Sequence, residues 1–204
     1  MSWLDDVRAI SLFEQIIIDT MPRCPNPQAW ASAFGAACAE FQIKNRDEIA
    51  MLLSQAGHES SDLTVLEENL NYSAERLVQV WPSRFPSIAA AKPYAHDPEA
   101  LANKVYANRM GNTRAGDGWR YHGRGPIMVT GQSNYLALAR ATNMPCDIEP
   151  DILLDYEPGA MSAAWYWRTR VTMGSVEYVT SQINGGLIGL ADRKARYEKA
   201  KALV

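Results

Sequence analysis

Residues 45–59 read NRDEIAMLLSQAGHE, and this stretch decides the fold. Asn45 is a helix N-cap, and Glu48, three positions on, is the matching capping-box residue. Apolar side chains then recur at Ile49, Leu52, Leu53 and Ala56, the spacing of one helical face. The run closes on Gly57-His58-Glu59. The spacing therefore predicts a buried helix that ends in a carboxylate, where the negative end of the helix dipole disfavours a bare charge.

Working outward, the same period recurs on both sides. Leu4, Val7, Ile10 and Phe13 predict a helix over 3–18, and Trp30, Phe34, Ala37 and Phe41 a second over 28–41, divided by Pro22, Pro25 and Pro27. Residues 60–72 lack helical periodicity and read as loop or short strand. A short helix begins at Ser73 and runs toward Val80, 82–98 is turn-rich, and 98–108 returns to helix. Further helices are expected over 134–142, 159–168, 176–183 and 190–203. Between them, 110–130 carries Gly111, Gly116, Gly118, Gly123 and Gly125 among Trp119, Arg120, Tyr121 and Arg124, a density that fits turns and close backbone approach. The fold class is mainly α, with a glycine- and aromatic-rich central loop region.

Composition narrows the functional classes. The 204 residues are 47% hydrophobic and carry 20 Lys+Arg against 23 Asp+Glu, a net charge of −3, which argues against a dedicated nucleic-acid binder. The apolar runs fall far short of the roughly 20 residues that span a bilayer. The first twenty residues hold Asp5, Asp6, Glu14 and Asp19 and do not read as a secretory signal. Cys24, Cys38 and Cys146 have no metal-ligand spacing; they read as small buried residues, with a Cys24–Cys38 bridge left open. His58-Glu59 is not an HExxH site, because position 62 is Asp62. Phosphate-loop and GxSxG patterns are likewise missing from the sequence.

What remains is a set of carboxylates and aromatic residues. Glu59 is followed nine residues later by Glu68, the second of the pair Glu67-Glu68. Two carboxyl groups in different environments are what glycoside hydrolysis requires, one protonated to donate to the leaving oxygen and one ionised to activate water. Tyr72 and Tyr121 sit in polar loops and read either as core or as faces for a sugar ring. Arg124, between two glycines, reads as an anchor of the turn more readily than as a reacting group.

Taken in order, His58-Glu59-Ser60, Glu68-Asn69-Leu70-Asn71-Tyr72-Ser73, Tyr121-His122-Gly123-Arg124-Gly125-Pro126-Ile127, Asn134-Tyr135, Ile183-Asn184-Gly185-Gly186 and Ala191-Asp192-Arg193 resemble the family 19 glycoside hydrolases. That family includes plant and bacterial chitinases and many phage endolysins. The resemblance covers about residues 45–200. It implies a lysozyme-like, two-lobed α-helical fold and one catalytic domain over 1–204, with the helices of 1–44 packed on the core. It also implies an inverting reaction on β-1,4-linked N-acetylated sugars, with no metal and no organic cofactor. By position, Glu59 matches the general acid, Glu68 the base (with Glu67 as the neighbouring alternative), and Thr130 the residue that holds the attacking water. Asn71, Tyr72, Tyr121, Arg124, Asn134, Asn184 and Arg193 are the expected substrate-binding and cleft-organising residues. Inversion places the two carboxyl groups roughly 6.5–9.5 Å apart. Two positions depart from the pattern: Met128 stands where the family usually has glutamine, and Ile188 where plant members carry an acid.

The expected polymer is bacterial peptidoglycan. The chain is short, shows no cysteine-rich chitin-binding module, and its Glu68–Ala74 stretch looks more like phage and prophage lysins than plant enzymes. The expectation is a monomeric muramidase-type endolysin, made in the host cytoplasm and acting at the periplasmic peptidoglycan once the membrane is permeabilised, without nucleic-acid partner or membrane segment. Rival readings are a chitinase acting on chitooligosaccharides, a virion tail-associated lysin, and a catalytically dead glycan-binding module. The basic helix 190–203 reads as a solvated face in preference to a membrane-disrupting one.

Overall fold

The computed structural model describes residues 3–204, with side chains from Ser11 onward. Eleven α-helices are present among the described residues: α1 (Trp3–Thr20), α2 (Pro27–Glu40), α3 (Arg46–Glu59), α4 (Ala74–Val80), α5 (Ile88–Ala91), α6 (Pro98–Val105), α7 (Asp117–Arg120), α8 (Gln132–Thr142), α9 (Tyr156–Arg170), α10 (Val176–Asn184) and α11 (Leu190–Lys201). Single 3-10 turns occupy Lys92–Tyr94 and Pro150–Leu154. The periodic positions Leu4, Val7 and Ile10 of α1 lie outside the described side chains.

The helix starts follow from local chemistry. Asn45 Oδ1 accepts from the backbone N–H groups of Asp47 and Glu48, satisfying two donors that the first turn of α3 leaves open. Asn26, Ser73, Ser87, Asp97 and Ser175 cap α2, α4, α5, α6 and α10 in the same way, and Pro27 and Pro98 occupy first-turn positions where no N–H is needed. The other half of the capping box at Glu48 does a different job. Its carboxylate accepts from the indole Nε1 of Trp167 at 3.0 Å, so a surface cap residue ties α3 to α9.

The chain folds into two compact units. The first comprises the residues up to Leu66, Arg124–Met128 and Asp151–Val204. Its core gathers Trp30, Phe34, Leu52, Leu53, Ala163 and Trp167, all buried. Within it α2 packs on α9 and α1, and α3 packs on α11. Residues 1–44 thus contribute α1 and α2 to this unit. The second unit comprises Glu67–Gly123 and Val129–Pro150, and holds its own core of Leu70, Leu77, Phe85, Leu101 and Val105.

Four short elements escape the sequence reading: α5, α7 and the two 3-10 turns. The reason at α7 is visible. Gly116 adopts φ +88°, and the buried Asp117 carboxylate accepts from the N–H groups of Thr113 and Arg114, so a local polar knot winds one turn inside the glycine-rich stretch. No described helix is long and apolar enough to cross a membrane.

Candidate active site

In the first unit the site is built around Glu59, the last residue of α3. Its carboxylate pairs with the guanidinium of Arg193, a residue of α11 that is only 1% exposed. Arg193 is held on two further sides. It donates to Gln55 Oε1 at 2.5 Å and, through Nε, to the carbonyl of Ile188 at 3.2 Å. Gln55 lies one turn before Glu59 and is itself buried, with its amide nitrogen near Thr180 Oγ1. A buried arginine so saturated with acceptors is a rigid support, and it supplies positive charge where the helix end alone would repel a carboxylate.

A second polar chain flanks the first. His58 Nδ1 lies 2.7 Å from Asp192 Oδ2, and the same oxygen accepts from Arg196 Nε at 2.7 Å. Arg196 also reaches Asp62 Oδ1 at 2.6 Å and the carbonyl of Thr20, while Asp62 Oδ2 accepts from Arg23. Burial pushes the Asp62 carboxyl up, but Arg23 and Arg196 outweigh it and hold the group below its ordinary value. Asp62 sits within three successive left-handed residues, Ser61, Asp62 and Leu63, a costly backbone turn immediately after Glu59 that this clamp fixes. Gly189 must be glycine here, because its φ is +72° and a Cβ would fall on the His58 ring.

In the second unit a group of polar contacts gathers around Glu68. Its backbone N–H donates to Gly123 O at 2.9 Å, and the Gly123 N–H donates back to Oε2 at 3.2 Å. The hydroxyl of Tyr106 donates to Oε1 at 2.5 Å. A Cβ on Gly123 would lie 3.2 Å from Thr130 Oγ1 and 3.3 Å from Glu68 Oε2, so this glycine keeps a space onto which the Thr130 hydroxyl and the Glu68 carboxylate both open. Glu67 points elsewhere. Its Oε1 lies 2.9 Å from Nε2 of the fully buried His122, whose ring stacks on Trp119 and whose Nδ1 bonds to the Trp119 carbonyl.

The remaining sequence-predicted residues divide into organisers and interior groups. Asn134 donates to the Thr130 carbonyl at 2.8 Å and so fixes that residue's backbone. Asn184 uses both ends of its amide on its own loop, donating to Ile188 O and accepting from Gly186 N–H. Asn71 Oδ1 meets His96 Nδ1 at 2.8 Å, and half-buried Tyr72 packs edge-on against Trp81. Three of the expected substrate-binding and cleft-organising residues are internal. Tyr121 is 5% exposed, lies against Tyr135, and donates its hydroxyl to Asp147 O. Arg124 is buried, with Nε 2.8 Å from Asp151, which makes it the anchor of its turn. Arg193 is too enclosed to be a binding surface and serves Glu59.

Sequence reasoning missed Tyr106 and Gln55. The signal for Gln55 was present: a polar residue on the apolar face set by Leu52, Leu53 and Ala56 must find a buried partner. Tyr106 gave none, since its partner is 38 positions away. The three cysteines are free thiols, so the Cys24–Cys38 bridge does not form. No cluster of three His, Cys, Asp or Glu side chains able to hold a metal occurs among the described residues. In α11 the basic residues Lys194, Arg196 and Lys201 each face an acid, Glu177, Asp192 with Asp62, and Asp47.

Comparison with known proteins supplies the family. No protein-family model matches the chain. A glycosyl hydrolase family 19 domain-containing protein of Haemophilus influenzae is 40% identical over 179 residues, spanning 84% of this chain and 88% of that protein. Chitinase 8 of Oryza sativa is 42% identical over 50 residues, 24% of this chain and 19% of its own length. Among solved structures, chitinase C of Streptomyces griseus matches with a TM-score of 0.62 at 16% identity, over 96% of this chain and 93% of that one. A class IV family 19 chitinase of Zea mays matches with a TM-score of 0.58 at 15% identity, over 94% and 89%. The helical, lysozyme-like fold of those chitinases is therefore the fold of this chain, and the long match to the Haemophilus protein makes it a member of glycosyl hydrolase family 19.

Proposed function

We propose that this chitinase-like hydrolase cleaves the β-1,4 glycosidic bonds of bacterial peptidoglycan, as a muramidase-type endolysin in phage-induced lysis. The observation that carries the chemistry is the Glu68 carboxylate, gripped by Tyr106 and Gly123 N–H and opening with the Thr130 hydroxyl onto one small space. In this reading Glu59 gives its proton to the glycosidic oxygen as the bond breaks. Glu68, ionised, takes a proton from a water held by Thr130, and that water attacks the anomeric carbon from the opposite face, inverting it. Arg193 keeps Glu59 in place through the cycle, and Asn134 keeps Thr130 in place.

Three features support peptidoglycan as the polymer. The Glu68–Ala74 stretch resembles phage and prophage lysins. The match that runs along most of the chain is to a bacterial protein, whereas the rice and petunia chitinases match over only 50 and 63 residues. Met128 and Ile188 also replace residues through which chitinases of the family hold sugar or pair with arginine. A second reading, hydrolysis of chitooligosaccharides, is favoured by those same plant matches, which reach 42% and 38% identity where they occur. The reading places synthesis in the host cytoplasm and action at the periplasmic wall.

The test is turbidity loss of outer-membrane-stripped Gram-negative cells, comparing the native enzyme with Glu59→Gln and Glu68→Gln, and reducing-end analysis of the fragments. Clearing by the native enzyme alone, with N-acetylmuramic acid at the new reducing ends, is the expected result. N-acetylglucosamine ends would reassign the bond. No clearing, with cleavage of a soluble chitooligosaccharide, would overturn the peptidoglycan reading in favour of the second.

A further inference from the structure

Tyr106 meets Glu68 Oε1 through its hydroxyl at 2.5 Å, from an element outside every motif that carries the other site residues. It caps the C-terminus of α6, donating its N–H to Ala102 O, and its carbonyl accepts from Asn112 Nδ2. Asn112 is 1% exposed, and its Oδ1 in turn accepts from the N–H of Gln132 at the start of α8. The helix behind the tyrosine is locked by Leu101, Ala102 and Val105 in the second core. The phenol is therefore presented from a rigid element and not from a loop free to adjust.

A carboxylate offers about four lone-pair positions. In Glu68 Tyr106 takes one on Oε1 and the Gly123 amide one on Oε2. A donor on each oxygen fixes the plane of the group. Glu67, one residue away, has neither donor and is engaged with His122. Burial and the negative charge of Glu68 both push the Tyr106 phenol above its ordinary value, so it keeps its proton and remains a donor. Arg109 and Tyr72 are the other titratable groups that bear on this hydroxyl.

We infer that Tyr106 is a positioning residue for the base of the reaction, aligning the Glu68 carboxylate, and that it is what separates the roles of the two adjacent glutamates. The inference rests on the reading of Glu68 as that base.

The experiment compares Tyr106→Phe with Glu68→Gln and the native enzyme, measuring kcat, KM and the pH profile of kcat, with thermal unfolding as a control. Tyr106→Phe should lower kcat by about 10- to 100-fold, the cost of removing one hydrogen bond to a charged group. KM should hold within about twofold, and the acidic limb should move up by roughly one pH unit because the ionised base has lost a donor. The unfolding midpoint should stay near native, since the phenyl ring keeps its place. An unchanged kcat and limb would overturn the inference, as would a loss of kcat that tracks a loss of folding with the limb unmoved. Should Tyr106→Phe not fold, 3-fluorotyrosine at the same position, a stronger donor, should move the limb to lower pH; an unmoved limb again overturns it. Full activity in Glu68→Gln would fell the reading of the base itself, a result distinct from any of these.

Discussion

Arg193 and Glu59 are 134 positions apart in the chain and share an ion pair in which the arginine side chain is almost wholly buried and the glutamate is 21% exposed. The guanidinium is not a loose counter-ion. Gln55 and the Ile188 carbonyl accept from two more of its N–H groups, so its position is set by α3 and the loop before α11 together. Removing it strands a carboxylate at a helix C-terminus and takes from the buried Gln55 Oε1 its arginine donor. Arg193→Met should therefore cost about 3 kcal/mol of stability and lower activity by at least roughly 100-fold. Urea unfolding and cell clearing measure the two. A variant as stable as the native protein would show that the pair contributes nothing to the fold.

Gly123 offers a cleaner separation of activity from stability. A methyl group there would meet Glu68 Cβ and Thr130 Oγ1 at 3.2 Å, tighter than ordinary van der Waals contact, while the backbone conformation itself suits any residue. Gly123→Ala should fold with a near-native melting temperature and lose roughly 10- to 100-fold in kcat, because in the proposed reaction displacing either group by a fraction of an ångström spoils the alignment of base and water. Retention of full kcat would mean that the space beside Gly123 is not where the water is activated.

Much of this was legible in the chain. The 3.6-residue period of Ile49, Leu52, Leu53 and Ala56 marked α3, and Asn45 caps it as its side chain dictates. The positions of Glu59, Glu68 and Thr130 were likewise in view, because each lies in or beside a recognisable motif. What stayed hidden is the third dimension of the polar groups. Glu48 looks like half of a capping box and instead serves Trp167, 119 positions away. Tyr121, which reads equally as core or as a face for a sugar ring, is settled only by the fold, where the loop turns inward and buries it. Periodicity reports which side of a helix is apolar; it carries no information on which distant acceptor a buried donor will find.

Acid should act on the enzyme through Asp62. Its carboxyl is pushed up by burial but held below the ordinary value by Arg23 and Arg196, and Asp192, which shares Arg196 and faces His58, is also depressed. A depressed folded-state value means that the unfolded chain binds the proton more readily. The stabilisation is therefore complete above the ordinary carboxylate value of about 3.9 and is lost as pH falls through the folded value. Urea midpoints measured from neutral pH down into the acid range should decline steeply for the native protein. Asp62→Asn should be less stable at neutral pH and show a shallower decline. Parallel curves for the two proteins would mean that the Arg23–Asp62–Arg196 clamp has no part in acid unfolding.

The cysteines should be chemically quiet in the folded state. Burial pushes the Cys38 thiol up to about 12 and Cys146 to about 11, and Cys24, half-buried, is raised less. Since the thiolate is the reactive form, a thiol-specific chromogenic reagent at mildly alkaline pH should find almost no fast-reacting group in the native protein, with only Cys24 modified slowly. Denaturant without reductant should then release all three equivalents, because all three are free. A single equivalent under those conditions, rising to three only after reduction, would instead reveal a bridge between two of them.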